Sequence, residues 1–385
     1  MGHEPVAGCA ATSQTAPTRR TTWGGPAAAR AMGADVPAAL LGVPGVSVAV
    51  TARGRLDDAR GFGLLATDAT EGVDVGVGSM FHAASMSKLV TALGVLRLAS
   101  QGSLDLDRDV NDLLRSWTLV PATGRVMRAP VTLRTLLSHQ GGIVDPEGAF
   151  EVVRPTDTPP ALPDLLSGRT PFNPRPVRVE HAPGSRFLYS DAGYCVVEQL
   201  LTDVTRTPFA DLMGELVLGP LRMTRSSFAS VVGSAVDGSH ETDVATGHDQ
   251  HGAVVDGRYP VYPAAAAAGL WSTPTDLSRA LVEIHHALTG GGALGLTPDL
   301  AHDMVRGQAS TPWAGLGCFV GGTDTRVRLT SLGWGVGFQC ALRSYPHTGD
   351  AVVVMTNCDP GRPQDEALTG HLLRGIEEAR GWSAP

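Results

Sequence analysis

Ser85 and Lys88 stand three residues apart in Phe81-His-Ala-Ala-Ser-Met-Ser-Lys88, and Lys88 is the only lysine in 385 residues. On a helix this spacing puts both side chains on one face. A hydroxyl beside an amine can serve as a nucleophile and its proton-handling partner. The other basic positions are all arginine, which stays protonated in proteins, whereas a buried lysine can lose its proton. Leu89 and Val90 follow Lys88. Desolvation among them is expected to favour the neutral amine, which would then take the serine proton. Ser85 at a helix start would also sit beside unpaired N–H groups and the positive dipole end, suited to steady an oxyanion. Ser-x-x-Lys alone arises often by chance, so further residues must support it.

Pro183-Gly-Ser-Arg-Phe-Leu-Tyr189-Ser-Asp191-Ala-Gly-Tyr194 sets a tyrosine and a carboxylate two residues apart before a helical run. A tyrosine by itself reads as a packed aromatic with its hydroxyl on backbone. Asp191 is also placed to cap the helix starting near Ala192. His139, in a turn before Gly141-Gly142, reads as a structural histidine. His240, His248 and His251, with Asp243 and Asp249, match no common zinc spacing. No metal site and no organic cofactor are expected.

The elements that would position these residues are visible in part. Residues 43–50 alternate and are β-branched, which predicts a strand, with residues 58–65 returning as a hairpin. Residues 85–98 are apolar nearly all round, which predicts a buried helix. Residues 131–137 form a helix capped by Thr132. Residues 145–185 are proline-rich and predict a long loop region shaping a cleft. Helices follow over 194–205, 208–218 and 272–284, then strands over 318–320, 327–329, 338–345 and 351–356, and a last helix over 364–380. The class is α+β: an antiparallel sheet flanked by helices, built from both chain ends, with a helical subdomain inserted. Residues 1–34 read as a flexible leader. Residues 35–385 form a single domain, its α/β part being 35–100 with 265–385 and its helical part 101–264.

A formal charge of −8 without lysine-rich runs argues against nucleic acid as partner. No apolar run approaches the roughly 20 residues of a membrane helix. Met1-Gly-His-Glu-Pro5 lacks a basic segment followed by an apolar one. Five cysteines (Cys9, Cys195, Cys318, Cys340, Cys358) are widely spaced and show no paired motif. A cytoplasmic, reducing location is the expectation, the alternative being a signal already removed.

Taken in order, Ser85-x-x-Lys88, His139-Gln-Gly-Gly142 and Tyr189-Ser-Asp191 resemble the serine β-lactamase and penicillin-binding protein superfamily. The branch they resemble holds class C β-lactamases, DD-peptidases, family VIII esterases and related acyltransferases. Gly219-Pro-Leu-Arg-Met-Thr224, the stretch Ala268 to Asp276 and the strand Ala351 to Asn357 extend the resemblance over residues 40–378. It implies a β-lactamase/transpeptidase-like fold, Ser85 as nucleophile, Lys88 as its proton-handling partner and Tyr189 as general base and acid. Asp191 falls where many relatives have Asn, and an ionised Asp offers no N–H to a substrate carbonyl. The third motif of the family carries Lys or His. Here Ser331-Leu-Gly-Trp334-Gly-Val-Gly337 has neither, and resembles the Trp-Gly-Gly version of family VIII esterases. Trp334 is expected beside substrate and Gly337 is expected to supply the second oxyanion N–H. Together these imply an esterase or transacylase acting on an ester, thioester or amide, with an amine or alcohol as acceptor. The alternatives are a class C-type β-lactamase, a D-aminopeptidase or DD-peptidase, and an acyl-binding protein without turnover.

Overall fold

In a computed structural model, residues 24–68, 72–124, 129–153, 157–228, 243–322 and 326–382 are described. Strands β1 (Gly45–Ala52) and β2 (Arg55–Gly63) form a hairpin near the start. The turn between them is Arg53-Gly54, both at positive φ (50° and 72°), as a two-residue hairpin needs. Short strands β3 (Phe81–His82) and β6 (Trp271–Ser272) pair beside the sheet, and β4 (Val120–Pro121) pairs with β5 (Arg178–Val179) in the helical part. The last strands are β7 (Phe319–Gly321), β8 (Arg328–Gly335), β9 (Phe338–Tyr345) and β10 (Asp350–Thr356). The main sheet has the order β2-β1-β10-β9-β8-β7, antiparallel throughout, so both chain ends build it.

Ten α-helices are described: α1 (Gly24–Met32), α2 (Ser87–Ser100), α3 (Leu133–Leu137), α4 (Leu162–Leu166), α5 (Asp191–Thr205), α6 (Phe209–Met213), α7 (Ala265–Ala268), α8 (Pro274–Ala287), α9 (Pro298–Met304) and α10 (Leu368–Arg380). Strand alternation separates two cores. Val352, Val354 and Ala341 face Leu372, Leu373 and Ile376 of α10. Ala351, Val353, Met355 and Leu342 face the larger core that holds α2, α5 and α8. Helix α2 is buried almost along its length, as its apolar sequence predicts.

Three expectations are corrected. Residues 24–32 are not part of a flexible leader but helix α1, while residues 1–23 lie outside the described residues. The helix docks through two glycines: a Cβ on Gly24 would stand 2.5 Å from the Phe62 carbonyl oxygen, and one on Gly25 would stand 2.3 Å from that of Leu41. The proline-rich stretch is not all loop, since it contains α4 and β5. Strand β8 runs to Gly335, well past the predicted end, because Ser331 to Gly335 pairs along β9.

Candidate active site

Ser85 lies in a 3-10 turn, Ala84–Met86, that feeds directly into α2. Ala84 holds φ at 45°, a left-handed conformation uncommon outside glycine. Contacts on two sides keep it there. Ser87 Oγ donates to the Ala84 carbonyl (2.6 Å) and accepts from the Leu270 N–H (2.9 Å). From the sheet, β8 presses against the same turn, and a Cβ on Gly333 would stand 2.3 Å from the Ala83 carbonyl oxygen. Glycine at 333 is what lets strand and turn touch.

Lys88 sits in the first turn of α2, buried, with its Nζ 3.0 Å from Ser85 Oγ, 3.0 Å from the Ala267 carbonyl oxygen and 2.7 Å from Asp191 Oδ1. The first two are hydrogen bonds and the third is an ion pair, a set that suits an ammonium. Burial pulls the Lys88 pKa down, but the Asp191 carboxylate and then the Tyr189 phenol outweigh it and hold it above the ordinary lysine value. This overturns the expectation of a neutral amine. The apolar neighbours are present as predicted, but a carboxylate from α5 shares the pocket, and pairing beats desolvation.

Tyr189 presents an exposed ring (43%) whose centroid is 4.8 Å from Lys88 Nζ. The ring stacks on His139, with centroids 4.2 Å apart and planes 25° apart. His139 Nδ1 accepts from the Ser190 N–H at 3.1 Å, so the ring proton belongs on Nε2. Burial, aided by the Lys88 charge, holds the His139 pKa well below its ordinary value. His139 is therefore a neutral wedge behind Tyr189, in keeping with its structural reading.

Asp191 does not cap α5. Ser190 is the N-cap, accepting from the Gly193 N–H at 2.9 Å. That leaves Asp191, the first helical residue, free to pair with Lys88. Asp145 completes the arrangement: its carboxylate accepts from Ser190 Oγ (2.6 Å), the Asp191 N–H (2.6 Å) and the Ala192 N–H (3.2 Å). Burial, with the Asp191 charge adding to it, pushes the Asp145 carboxyl up to about 6 despite these bonds. Sequence reasoning missed Asp145, because an Asp before Pro146 reads only as a turn residue. It also missed Glu198 on α5, which accepts from the Ala266 N–H at 2.8 Å. An acid between Val197 and Leu201 on an otherwise buried helix is the one signal that marked it.

Trp334 and Gly337 are placed differently from Ser85, Lys88, Tyr189 and Asp191. The Trp334 indole Nε1 donates to Asp359 Oδ1 at 2.7 Å. Trp334 shares a face with Leu332, which packs in the α10 core, and its cross-strand partner Gln339 bonds Thr369 of α10. The indole is therefore on the sheet face opposite the Ser85 turn. Gly337 occupies the two-residue turn between β8 and β9 at φ 76°, its carbonyl accepting from the His248 N–H at 3.2 Å. A Cβ there would stand 2.6 Å from Gly247 Cα. In such a hairpin Gly335 and Phe338 form the closing hydrogen-bonded pair. The backbone of Trp334 then faces the other edge, and β7 pairs β8 only as far as Thr330. Among the described residues the Trp334 N–H thus lies on an unpaired edge, between Gly333, which meets the Ala83 carbonyl, and Gly335, where a Cβ would stand 2.8 Å from the Tyr262 hydroxyl oxygen.

His248 is engaged structurally, with Nδ1 2.8 Å from the Asn357 carbonyl oxygen and Nε2 accepting from the Thr67 N–H. His240 lies outside the described residues. Among the described residues no group of three or more His, Cys, Asp or Glu could hold a metal ion, and no helix is long and apolar enough to cross a membrane.

Several solved structures share the fold. A penicillin-binding protein homologue from Pyrococcus abyssi, described as octameric, matches at TM-score 0.69 and 21% identity, over 92% of this chain and 76% of that one. EstCE1, described as a hydrolase with promiscuous acyltransferase activity, matches at 0.63 and 21%, over 88% and 93%. A class C β-lactamase mutant matches at 0.65 and 16%, over 88% and 92%. Among curated proteins, Protein flp of Staphylococcus aureus (strain N315) is 25% identical over 233 residues, which is 60% of this chain and 42% of that protein. The chain thus spans less than half the length of the curated relatives it matches first. The family model Beta-lactamase matches residues 34–375, and with nearly the whole length covered the chain belongs to the Beta-lactamase family.

Proposed function

We propose that the protein is a serine esterase or acyltransferase that works through an acyl-enzyme on Ser85. The observation that carries this reading is the placement of Ser85 Oγ 3.0 Å from a Lys88 ammonium that Asp191 keeps charged, with Tyr189 alongside. Lys88 is then a fixed positive charge, and Tyr189, reacting as its phenolate, the proton acceptor. As Ser85 Oγ bonds to the acyl carbon, its proton passes to the Tyr189 oxygen. The tetrahedral adduct expels the leaving group, which takes that proton from Tyr189. Water, an alcohol or an amine then attacks the acyl-enzyme, giving its proton to Tyr189, and Ser85 Oγ recovers it as the ester bond breaks. The oxyanion is assigned to the N–H of Ser85 and, on the free edge of β8, to the N–H of Trp334 in place of Gly337.

Residues 331–337 offer no cation, and the single lysine is committed to Asp191. This supports acyl donors without the carboxylate of a penicillin or a D-Ala-D-Ala terminus: simple esters, thioesters or amides. The test is product partitioning. A short-chain nitrophenyl ester is turned over with rising concentrations of an amine or alcohol, and acid and acyl-transfer products are counted. Turnover of the ester at rates above those for a cephalosporin supports the reading, and the product ratio divides esterase from transacylase. Preferential turnover of the cephalosporin overturns it in favour of a β-lactamase.

A further inference from the structure

Lys88 depends on one backbone carbonyl, that of Ala267, in a helix with an unusual composition. Helix α7 is four alanines, its N-cap is Ala264, and that cap makes no side-chain hydrogen bond. An all-alanine turn cannot satisfy its own leading N–H groups. Its carbonyl side is heavily used: the Ala266 oxygen accepts from Thr91 Oγ1 at 2.9 Å, and the Ala267 oxygen accepts from Lys88 Nζ at 3.0 Å. Its amide side is held by a residue 68 positions earlier in the chain. Glu198 accepts from the Ala266 N–H at 2.8 Å.

We propose that Glu198 is the positioning residue of the site: it fixes α7 from the amide side so that the Ala267 carbonyl holds the Lys88 ammonium against Ser85. The carboxylate ties α5, which also carries Asp191, to the turn whose Ala267 carbonyl accepts from Lys88. The Ala267 carbonyl and the Asp191 carboxylate, the hydrogen-bond and ion-pair partners of Lys88, are thereby referred to one helix. Without Glu198, the Ala266 N–H loses its acceptor, and the turn must rotate or admit water to satisfy it. Either change moves the Ala267 oxygen, and the ammonium shifts toward Asp191 and away from Ser85 Oγ.

Because the chain has a single lysine, the inference can be read without any substrate. Protein made with 13C-lysine gives one side-chain Cε–Hε signal, that of Lys88. Glu198→Gln, which keeps one acceptor oxygen and removes the charge, and Glu198→Ala, which removes both, should displace that signal progressively. Glu283→Gln is the control: Glu283 likewise caps backbone, accepting from Ala293 and Leu294, but on α8 away from the site. It should leave the Lys88 signal in place. If Glu198→Ala does not fold, Glu198→Gln decides alone. A Lys88 signal unmoved in every folded Glu198 variant overturns the inference. A kinetic arm rests on the Ser85 reading. In it, acylation by a nitrophenyl ester should slow by about 10- to 100-fold in Glu198→Ala, the scale expected when a reacting group is misplaced by about 1 Å. If wild type is not acylated, the Ser85 reading fails while the lysine signal still judges Glu198. If wild type is acylated and Glu198→Ala matches it in rate, only the positioning role fails.

Discussion

Asp191→Asn separates the account of Lys88 as a fixed cation from its reading as a neutral base. Asp191 Oδ1 is 2.7 Å from Lys88 Nζ. Two unit charges at that distance attract by roughly 6 kcal/mol at an effective dielectric of about 20, before any desolvation cost is subtracted. Observed shifts from one adjacent opposite charge are smaller, about 1–3 pKa units, or about 1.4–4 kcal/mol. Asparagine keeps the shape and an oxygen acceptor but removes the charge. Burial, the opposing effect at Lys88, then acts with less resistance, and the pKa must fall by about 1–3 units. The single lysine again gives a clean assay, a pH titration of its 13Cε signal. Wild type should titrate above the ordinary lysine value of 10.5, and Asp191→Asn should titrate well below wild type. A wild-type midpoint below the ordinary value would restore Lys88 as a neutral base. A midpoint that Asp191→Asn leaves unmoved would show that the ion pair contributes nothing.

Three further perturbations bear on the same site. Tyr189→Phe keeps the stack on His139 and removes the phenol oxygen, so acylation should fall by roughly 10²- to 10⁴-fold while the melting temperature changes little; pre-steady-state release of nitrophenol measures it, and a rate within twofold of wild type would exclude Tyr189 as the proton acceptor. Gly333→Ala puts a methyl 2.3 Å from the Ala83 carbonyl oxygen, so the Ser85 turn or β8 must shift; activity should drop sharply alongside a stability loss of about 1–3 kcal/mol in denaturant titrations, and full activity would mean the strand gives way freely. Asp145 has a folded-state pKa of about 6, above its ordinary 3.8, so the native state binds the extra proton and this group's contribution to stability falls as pH rises from about 4 to 6. Asp145→Asn should flatten that part of the pH–stability curve, which urea unfolding at fixed temperature would show, and an unchanged slope would place the titration elsewhere.

What could be read in the sequence was local. Ser85 and Lys88 share a helix turn, and Tyr189 and Asp191 precede a helix, so short-range spacing was enough to find them. Strand β1, which alternates, and β10, a short apolar run rich in valine, were legible for the same reason. The protonation of Lys88 was not, because its neighbours Leu89 and Val90 are adjacent in sequence while Asp191 arrives from another helix. The facing of Trp334 was hidden as well. It depends on the length of the β8–β9 turn: two residues put the indole on the α10 side and the backbone on the free edge. Asp145, Glu198 and the Ala267 carbonyl act across long separations through backbone groups, and side-chain motifs carry no trace of those. Helix α1 reads as a leader in the sequence because the stretch it lies in, residues 1–34, is rich in Ala, Thr and Pro, with little periodicity, and in glycines. Gly24 and Gly25 are instead where the helix backbone meets Phe62 and Leu41.

The central claim is that Ser85 carries the acyl group. Wild type and Ser85→Ala are mixed briefly with a short-chain nitrophenyl ester, quenched in acid and weighed intact, with the modified peptide then sequenced. Wild type should gain one acyl mass, located on Ser85 and cleared by water or an added amine, and Ser85→Ala should gain none. An equal adduct on Ser85→Ala, or an acyl group mapped to another residue, would contradict the account.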